Sequence, residues 1–236
     1  MLSLDAFWNI ADETRLETEY KVDKKLKFLQ HASHEALQDI CLQYRYFTKD
    51  FPDNLAVLLA KTPQGNFKSL IGEIISEELG EGNPACSHLR LYDNFLVSIG
   101  IPENSLEKSL YPENATLLNE IRQLTFRQSQ AYGIGLVGMG GECLCQIYLS
   151  NMYDNLIKNP YIQQHKNSIN WEFWNFHIGE ADILHRQKVR QAINEIVQVD
   201  PSSVEDLASG YLKAKHNWDT FWANNYELAM NARAVA

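Results

Sequence analysis

The sequence lacks the patterns that mark several large protein classes. It has no run of Lys or Arg, and 30 acidic against 21 basic residues give a formal charge of −9. Partners such as nucleic acid or an anionic membrane are therefore not expected. No stretch is apolar over the roughly 18 residues that a membrane span requires, and the amino terminus lacks the pattern of a signal peptide.

Cysteine is also scarce. The four residues Cys41, Cys86, Cys143 and Cys145 do not show the spacing of a disulfide framework. Cys143 and Cys145 have no second cysteine pair with which to form a zinc site. We therefore expect reduced thiols and a cytoplasmic protein.

Alternating segments of the kind that predict strands are rare. Long segments with helical apolar periodicity are instead separated by short clusters of Pro, Gly and Asn. This pattern predicts an all-α protein with helices near 20–31, 34–49, 53–61, 66–79, 86–99, 114–130, 132–153, 168–195 and 202–231. Because there is no linker or internal repeat, residues 1–236 are expected to form a single helical domain.

The segment 171–190 contains three side chains of the metal-ligand type within a stretch of nine residues. His177, Asp182 and His185 are surrounded there by apolar and aromatic residues. Asp182 and His185 are three residues apart, so a helix would place them on one face. A buried carboxylate beside an imidazole is costly unless it is paired or bound to a metal. A hydrogen-bonded Asp–His pair with His177 on the surface is the alternative.

Two further polar residues interrupt apolar faces. Glu78 continues the stripe of Phe67, Ile71 and Ile74, and His88 begins the buried face of the following helix. A lone histidine in such a position is more often a satisfied core residue. Two polar residues on neighbouring buried faces, joined by a tight turn, point instead to a shared site.

Glu142 follows five glycines that lie between residues 133 and 141. It shares a helix face with Met139, Cys145 and Leu149. Each glycine weakens a helix by up to about 1 kcal/mol relative to alanine. The glycines therefore suggest close approach of another backbone or room for a ligand. A glycine-rich helix contact with Glu142 exposed is the alternative.

Together these positions supply three carboxylates and three imidazoles from four helices. They are Glu78, His88, Glu142, His177, Asp182 and His185. Mixed oxygen and nitrogen ligation without thiolate suits iron or manganese. Two metals that share carboxylates are typical of helix-bundle diiron proteins, although the usual Glu-x-x-His pairs are absent.

Between about Leu37 and Arg190 the sequence resembles the haem-oxygenase-like diiron oxidases and oxygenases. The segment EELGEGNPACSH is similar to the family's Glu-Glu-x-Gly-x-Gly motif and the histidine that follows it. Glu142 is similar to the glutamate of the family's middle helix. His177, Asp182 and His185 are similar to the family's final His-x-x-x-Asp-x-x-His motif. The same superfamily includes haem oxygenase, thiaminase-like proteins, pyrroloquinoline quinone synthase and the chlamydial death-domain-associating protein.

The resemblance implies a haem-oxygenase-like helical bundle that binds two ferrous ions through the six residues above. It also implies O₂ and a small organic substrate, such as an amino acid, an amine or a fatty acid. The expected reaction is N-oxygenation, oxidative decarboxylation or C–C cleavage. The acidic, aromatic segment 217–230 is expected to pack as a helix, with a homodimer contact as the weaker option.

The last motif departs from the family pattern. Four residues separate His177 from Asp182 where three are expected, so a regular helix would set the two about 140° apart. A π-bulge near Gly179 would bring them together, and an irregular turn between them is therefore predicted. Glu180 is the alternative ligand to His177, and Glu81 is the alternative to Glu78.

Two other functions remain open from the sequence. The first is a metal-free thiaminase-like hydrolase or cofactor-free oxidase, with Cys143 or Cys145 as nucleophile and Glu142 as base. The second is a non-enzymatic helical interaction protein. Iron content would separate both from the diiron enzyme.

Overall fold

The computed structural model describes residues 2–108, 110–178 and 181–235, with the backbone alone for residues 181–186 and 231–235. The described residues form helices joined by turns and short loops, and they contain no strand. The helices are α1 Leu4–Leu26, α2 His34–Lys61, α3 Asn66–Glu78, α4 His88–Ser98, α5 Pro112–Arg127, α6 Gln130–Gly133, the π-helix Ile134–Leu144, α7 Cys145–Leu156, α8 Pro160–His165, α9 Glu172–His177, α10 Ala181–Val199 and α11 Val204–Val235. The expected all-α fold is confirmed for the described residues.

Helix α2 is continuous where the sequence predicts two helices. Pro52 lies inside α2, although proline removes a backbone hydrogen bond and disfavours a helix interior. The helix continues because α2 packs against α3, α4, α5, α11 and the π-helix. Burial of residues on both sides of Pro52, such as Tyr44 and Leu55, outweighs the local cost. The predicted break between 49 and 53 is therefore wrong.

The core is rich in aromatic rings contributed by α2 and α11. Phe47 of α2 stacks on Trp218 of α11 with ring centroids 4.6 Å apart. Tyr148 of α7 also stacks on Trp218, with ring centroids 5.1 Å apart. Phe221 and Trp222 are almost fully buried. The segment 217–230 thus packs within the fold as expected.

The glycine-rich segment forms a π-helix, which the sequence did not predict. Gly135 of this helix lies against the backbone of α11, where an added Cβ would lie 2.6 Å from Tyr211 N. Gly210 of α11 is equally close to the π-helix, since its Cβ would lie 3.0 Å from Leu136 N. The expected close approach of a second backbone is therefore found here.

The amino-terminal helix begins much earlier than expected. Helix α1 starts at Leu4, and the side chain of Ser3 caps it by accepting a hydrogen bond from Ala6 N at 3.1 Å. Phe7, Ala11, Val22 and Leu26 bury its inner face. No described helix is long and apolar enough to cross a membrane.

Candidate metal centre

A tight turn between α3 and α4 sets Glu78 beside His88. Glu78 is the last residue of α3, and His88 is the first residue of α4. Gly80 within the turn has a φ of +84°, and a Cβ there would lie 2.6 Å from Ser87 N. Only glycine fits this position, so the turn depends on Gly80. The side chain of Ser87 then caps α4 by accepting a hydrogen bond from Arg90 N.

The carboxylate of Glu78 contacts the first imidazole directly. Glu78 Oε1 lies 2.9 Å from His88 Nδ1, and both side chains are largely buried. Tyr92, Phe95 and Ile99 follow His88 on the buried face of α4, as the periodicity predicts. Glu81, the alternative to Glu78, is exposed and takes no part in this contact.

His177 reaches the same point from α9. Its Nε2 lies 3.1 Å from His88 Nδ1, and its Nδ1 lies 2.7 Å from the carbonyl oxygen of Phe173. Helix α9 ends at His177, and α10 begins at Ala181. A continuous helix over 168–195 is therefore wrong, and the interruption falls between His177 and Asp182, where the irregular turn is predicted. Gly179 and Glu180 lie outside the described residues, so the π-bulge stays a prediction.

The three side chains form a donor set that fits iron. One ligand atom from each of Glu78, His88 and His177 lies within 4.8 Å of the others. Because His177 Nδ1 donates to a backbone carbonyl, its Nε2 carries the lone pair and faces the centre, as in metal-bound histidines. His88 Nε2 is buried without a hydrogen-bond partner among the described residues. Two imidazoles and one carboxylate are the donors of many non-haem Fe(II) oxygenases.

The local charges keep the two histidines in different states. Burial and the charge of His88 lower the pKa of His177 to about 4, so His177 is neutral at pH 7 and ready to bind a metal. Burial would lower the pKa of His88, but the hydrogen bond that His88 donates to Glu78 and the charges of Glu78, Glu142 and Glu77 raise it. The acidic side chains thus favour a positive charge at this point.

Glu142 lines the cavity that also contains Glu78, His88 and His177. It is half-buried near the end of the π-helix, and its charge acts on His88. Met139, which an α-helix would place on the same face as Glu142, lines a second cavity with Cys143 instead. That expectation is wrong because i to i+5 bonding puts more residues into each turn than an α-helix does.

The side chains of the remaining predicted ligands are not among those described. The structure gives the backbone of α10 but not the side chains of Asp182 and His185, and Glu180 is not described at all. The ligand role of all six residues therefore remains a prediction. Glu77, which was not among the predicted ligands, also lines the cavity. The available signal in the sequence was the position of Glu77 next to Glu78, near the end of the predicted helix.

The cavity has a volume of about 100 Å³ and mostly apolar walls. Aromatic residues from α2, α9 and α11 form much of the wall: Tyr44, Phe47, Phe51, Phe173, Phe176 and Trp218. Tyr44 Oη lies 3.5 Å from Cys145 Sγ at this wall. Cys143, the other candidate nucleophile, lines the second cavity. The candidate metal centre therefore faces a pocket suited to a small, largely apolar molecule.

Fold and site together define a haem-oxygenase-like helical protein with a candidate Glu–His–His metal centre. The chain belongs to the family described as iron-containing redox enzymes, whose model matches residues 38–219. The match includes Glu78, His88, Glu142 and the segment from His177 to His185. No curated protein matches the chain.

Solved structures show the same fold at low sequence identity. A CADD-like protein of unknown function from Nostoc punctiforme has a TM-score of 0.77 and 17% identity, with 96% of this chain and 98% of that chain covered. A haem oxygenase-like domain of unknown function from Shewanella denitrificans has a TM-score of 0.71 and 14% identity, over 97% and 94% of the two chains. A TenA homolog from Pseudomonas syringae has a TM-score of 0.69 and 13% identity, over 94% and 93%.

Proposed function

We propose that this protein is a non-haem diiron oxidase or oxygenase that uses O₂ to oxidise a small organic substrate. The observation that carries the proposal is the convergence of Glu78, His88 and His177 on one point of an apolar cavity. Membership of a family of iron-containing redox enzymes supports the same metal. Iron at this centre would supply electrons to O₂, which no protein side chain does readily.

The protein side chains prepare the centre in three ways. His177 offers a neutral ring nitrogen, because its other nitrogen is held by the Phe173 carbonyl. Glu78 offers a carboxylate and also fixes the His88 ring. Without metal, the proton on His88 Nδ1 lies between Glu78 and His177, so a bound cation would displace this proton.

A second iron would need the other ligands that the sequence predicts. Glu142 lines the same cavity and its charge acts on His88, which supports a place for it in the second position. We assign Asp182 and His185 to this second position with Glu142, on the basis of their place in the sequence. Oxygen-rich ligation holds ferrous ion weakly, so this second iron is expected to be the labile one.

Anaerobic loading with Fe(II), followed by metal analysis, tests the proposal. Wild-type protein is expected to bind up to two irons per chain and to change its absorption spectrum on exposure to O₂. His177→Asn is expected to lose most of this iron. His165→Asn is the matched control, because His165 Nδ1 also bonds a carbonyl four residues earlier, that of Tyr161, but lies away from the cavity.

The outcome also separates the alternatives. Equal iron binding by wild type and His177→Asn would refute the assigned centre. Wild-type protein that binds no iron would favour a metal-free activity or a non-enzymatic role. Alkylation of Cys145 that abolishes turnover of a substrate without iron would then identify the metal-free enzyme.

A further inference from the structure

A tyrosine and a cysteine meet at the wall of the cavity that contains the candidate metal centre. The Oη atom of Tyr44, on α2, lies 3.5 Å from the Sγ atom of Cys145, the first residue of α7. Both residues line the cavity together with Glu78, His88 and His177. Phenols and thiols are both readily oxidised side chains. The contact therefore places two oxidisable groups beside a centre that is proposed to react with O₂.

The surrounding side chains hold the Tyr44 ring in this position. The ring stacks on that of Trp218, with centroids 6.4 Å apart, and meets the ring of Tyr92 edge-on at 5.4 Å. Tyr44 is only 3% exposed. Burial raises the pKa of the Tyr44 phenol most, and Cys145 and Glu78 raise it further. The phenol is therefore protonated at neutral pH and fixed against the sulfur.

A second thiol–phenol pair lies away from the cavity. Tyr92 Oη donates a hydrogen bond to the carbonyl oxygen of Cys41 at 2.9 Å, and both residues are fully buried. Neither is among the described residues that line the cavity. Cys143, two residues before Cys145, lines the second cavity instead. Of these cysteines, Cys145 alone combines contact with a phenol and access to the candidate metal centre.

We propose that Tyr44 and Cys145 form a modification site, at which oxidation joins Cys145 Sγ to a ring carbon of Tyr44 as a thioether. The carbons ortho to the hydroxyl are the ring C–H positions closest to Oη, and an oxidised phenol reacts there. One C–H bond and the S–H bond break, and one C–S bond forms. The two electrons and two protons that are released reduce one O₂ to H₂O₂. This inference rests on the proposed function, because iron at the candidate centre would pass the electrons to O₂.

The thioether would change three measurable properties of the protein. It would make the chain lighter by two hydrogen atoms, and thiol reductants would not reverse it. It would leave one thiol fewer than the four in the sequence. It would join α2 to α7 at positions 101 residues apart, which leaves fewer conformations open to the denatured protein. Tm is therefore expected to rise by about 5–10 °C.

Mass spectrometry of protein produced without iron and kept under nitrogen tests the inference. One sample is loaded with Fe(II) and exposed to air, and both samples are then fully reduced, because a disulfide also removes two hydrogen atoms. The treated wild type should be lighter by two hydrogen atoms and should have lost one thiol in denaturant. Trypsin leaves Tyr44 in the peptide 28–45 and Cys145 in the peptide 128–158. These two peptides should appear as one joined species.

Four variants assign the bond to its two side chains. Tyr44→Phe removes the phenol and Cys145→Ser removes the sulfur, so neither should give the joined peptide or the rise in Tm. Cys41→Ala is the matched control, because Cys41 belongs to the thiol–phenol pair outside the cavity. Cys143→Ala controls for the neighbouring thiol, which lies in the same tryptic peptide as Cys145. Both controls should be joined to the same extent as wild type.

A second oxidant separates this inference from the diiron proposal. Light, a ruthenium tris-bipyridyl complex and persulfate oxidise phenols in the metal-free protein, and wild type should again give the joined peptide. If the protein binds iron but air gives no joined peptide, the inference is overturned and the diiron proposal stands. If it binds no iron but the photo-oxidant joins the peptides, the modification site stands and the diiron proposal is refuted. A joined peptide in Tyr44→Phe or Cys145→Ser, or none in wild type with either oxidant, would also overturn the inference.

Discussion

Gly135 and Gly210 face each other across the contact between the π-helix and α11. A Cβ on Gly135 would lie 2.6 Å from Tyr211 N, and a Cβ on Gly210 would lie 2.9 Å from the Tyr132 carbonyl carbon. Both neighbours are backbone atoms, which cannot rotate away as a side chain can. The two helices therefore approach each other as closely as they do only because neither position has a side chain.

Gly135→Ala is expected to destabilise the protein by about 1–3 kcal/mol or more through overpacking. Gly72→Ala is the control, because Gly72 lies in α3 with nothing within 4 Å of an added Cβ. That change should instead stabilise by up to about 1 kcal/mol through helix propensity. Urea unfolding measures both. A Gly135→Ala variant as stable as wild type would contradict the close contact.

Glu142→Ala is expected to reduce bound iron from two towards one per chain while the helical circular dichroism signal is kept. The reason is that Glu142 lines the cavity of the candidate metal centre and acts on His88. Glu73→Ala is the control, because Glu73 is exposed and pairs with Lys188. Metal analysis after anaerobic loading decides the matter. Undiminished iron in Glu142→Ala would remove Glu142 from the site.

Anaerobic titration of the metal-free protein with Fe(II) is expected to show two unequal binding steps. The tighter step should belong to the centre with two imidazoles, Glu78, His88 and His177, since the second position has only one imidazole, that of His185, beside two carboxylates. Calorimetry and optical titration can resolve the steps. Two equal, tight steps would contradict this order of affinities.

Stability is expected to fall in acid through Asp219, which joins α11 to α1 and α7. Its carboxylate accepts hydrogen bonds from Lys215 at 2.8 Å and Tyr148 at 2.6 Å, and it pairs with Lys25. Burial would raise the pKa of Asp219, but the hydrogen bonds from Lys215, Lys25 and Tyr148 hold it below its usual value. The stabilisation is therefore complete above the unfolded pKa and is lost as pH falls through the folded pKa.

Urea unfolding between pH 7 and pH 3 checks this expectation. The free energy of unfolding should fall less steeply with acid in Asp219→Asn than in wild type. Asp12→Asn should retain nearly the wild-type slope, because the pair of Asp12 with Arg190 is exposed and screened. Parallel slopes for wild type and Asp219→Asn would show that the network does not contribute.

The sequence predicted the fold class and the meeting of distant side chains better than it predicted local geometry. Apolar periodicity placed Glu78 and His88 on buried faces, and the tight turn brought them together. The cluster of metal-ligand side chains in 171–190 singled out His177, and the glycine-rich segment singled out Glu142. Both residues line the same cavity. Their metal-binding role remains a prediction, as does that of Asp182 and His185.

The errors arose where tertiary contacts decide the backbone. Pro52 is a local signal to end a helix, but packing on both sides of it keeps α2 continuous. The π-helix depends on the contact of Gly135 with α11, which is distant in sequence.

The three ligands of the candidate centre differ in how much chain must be ordered before they meet. Glu78 and His88 are joined by one short turn, so little entropy is lost when their side chains come together. His177 is 89 residues from His88, so the contact between these two histidines closes a long loop of the chain. A cation that holds all three would act as a cross-link across that loop. It would restrict the unfolded chain much as a disulfide does.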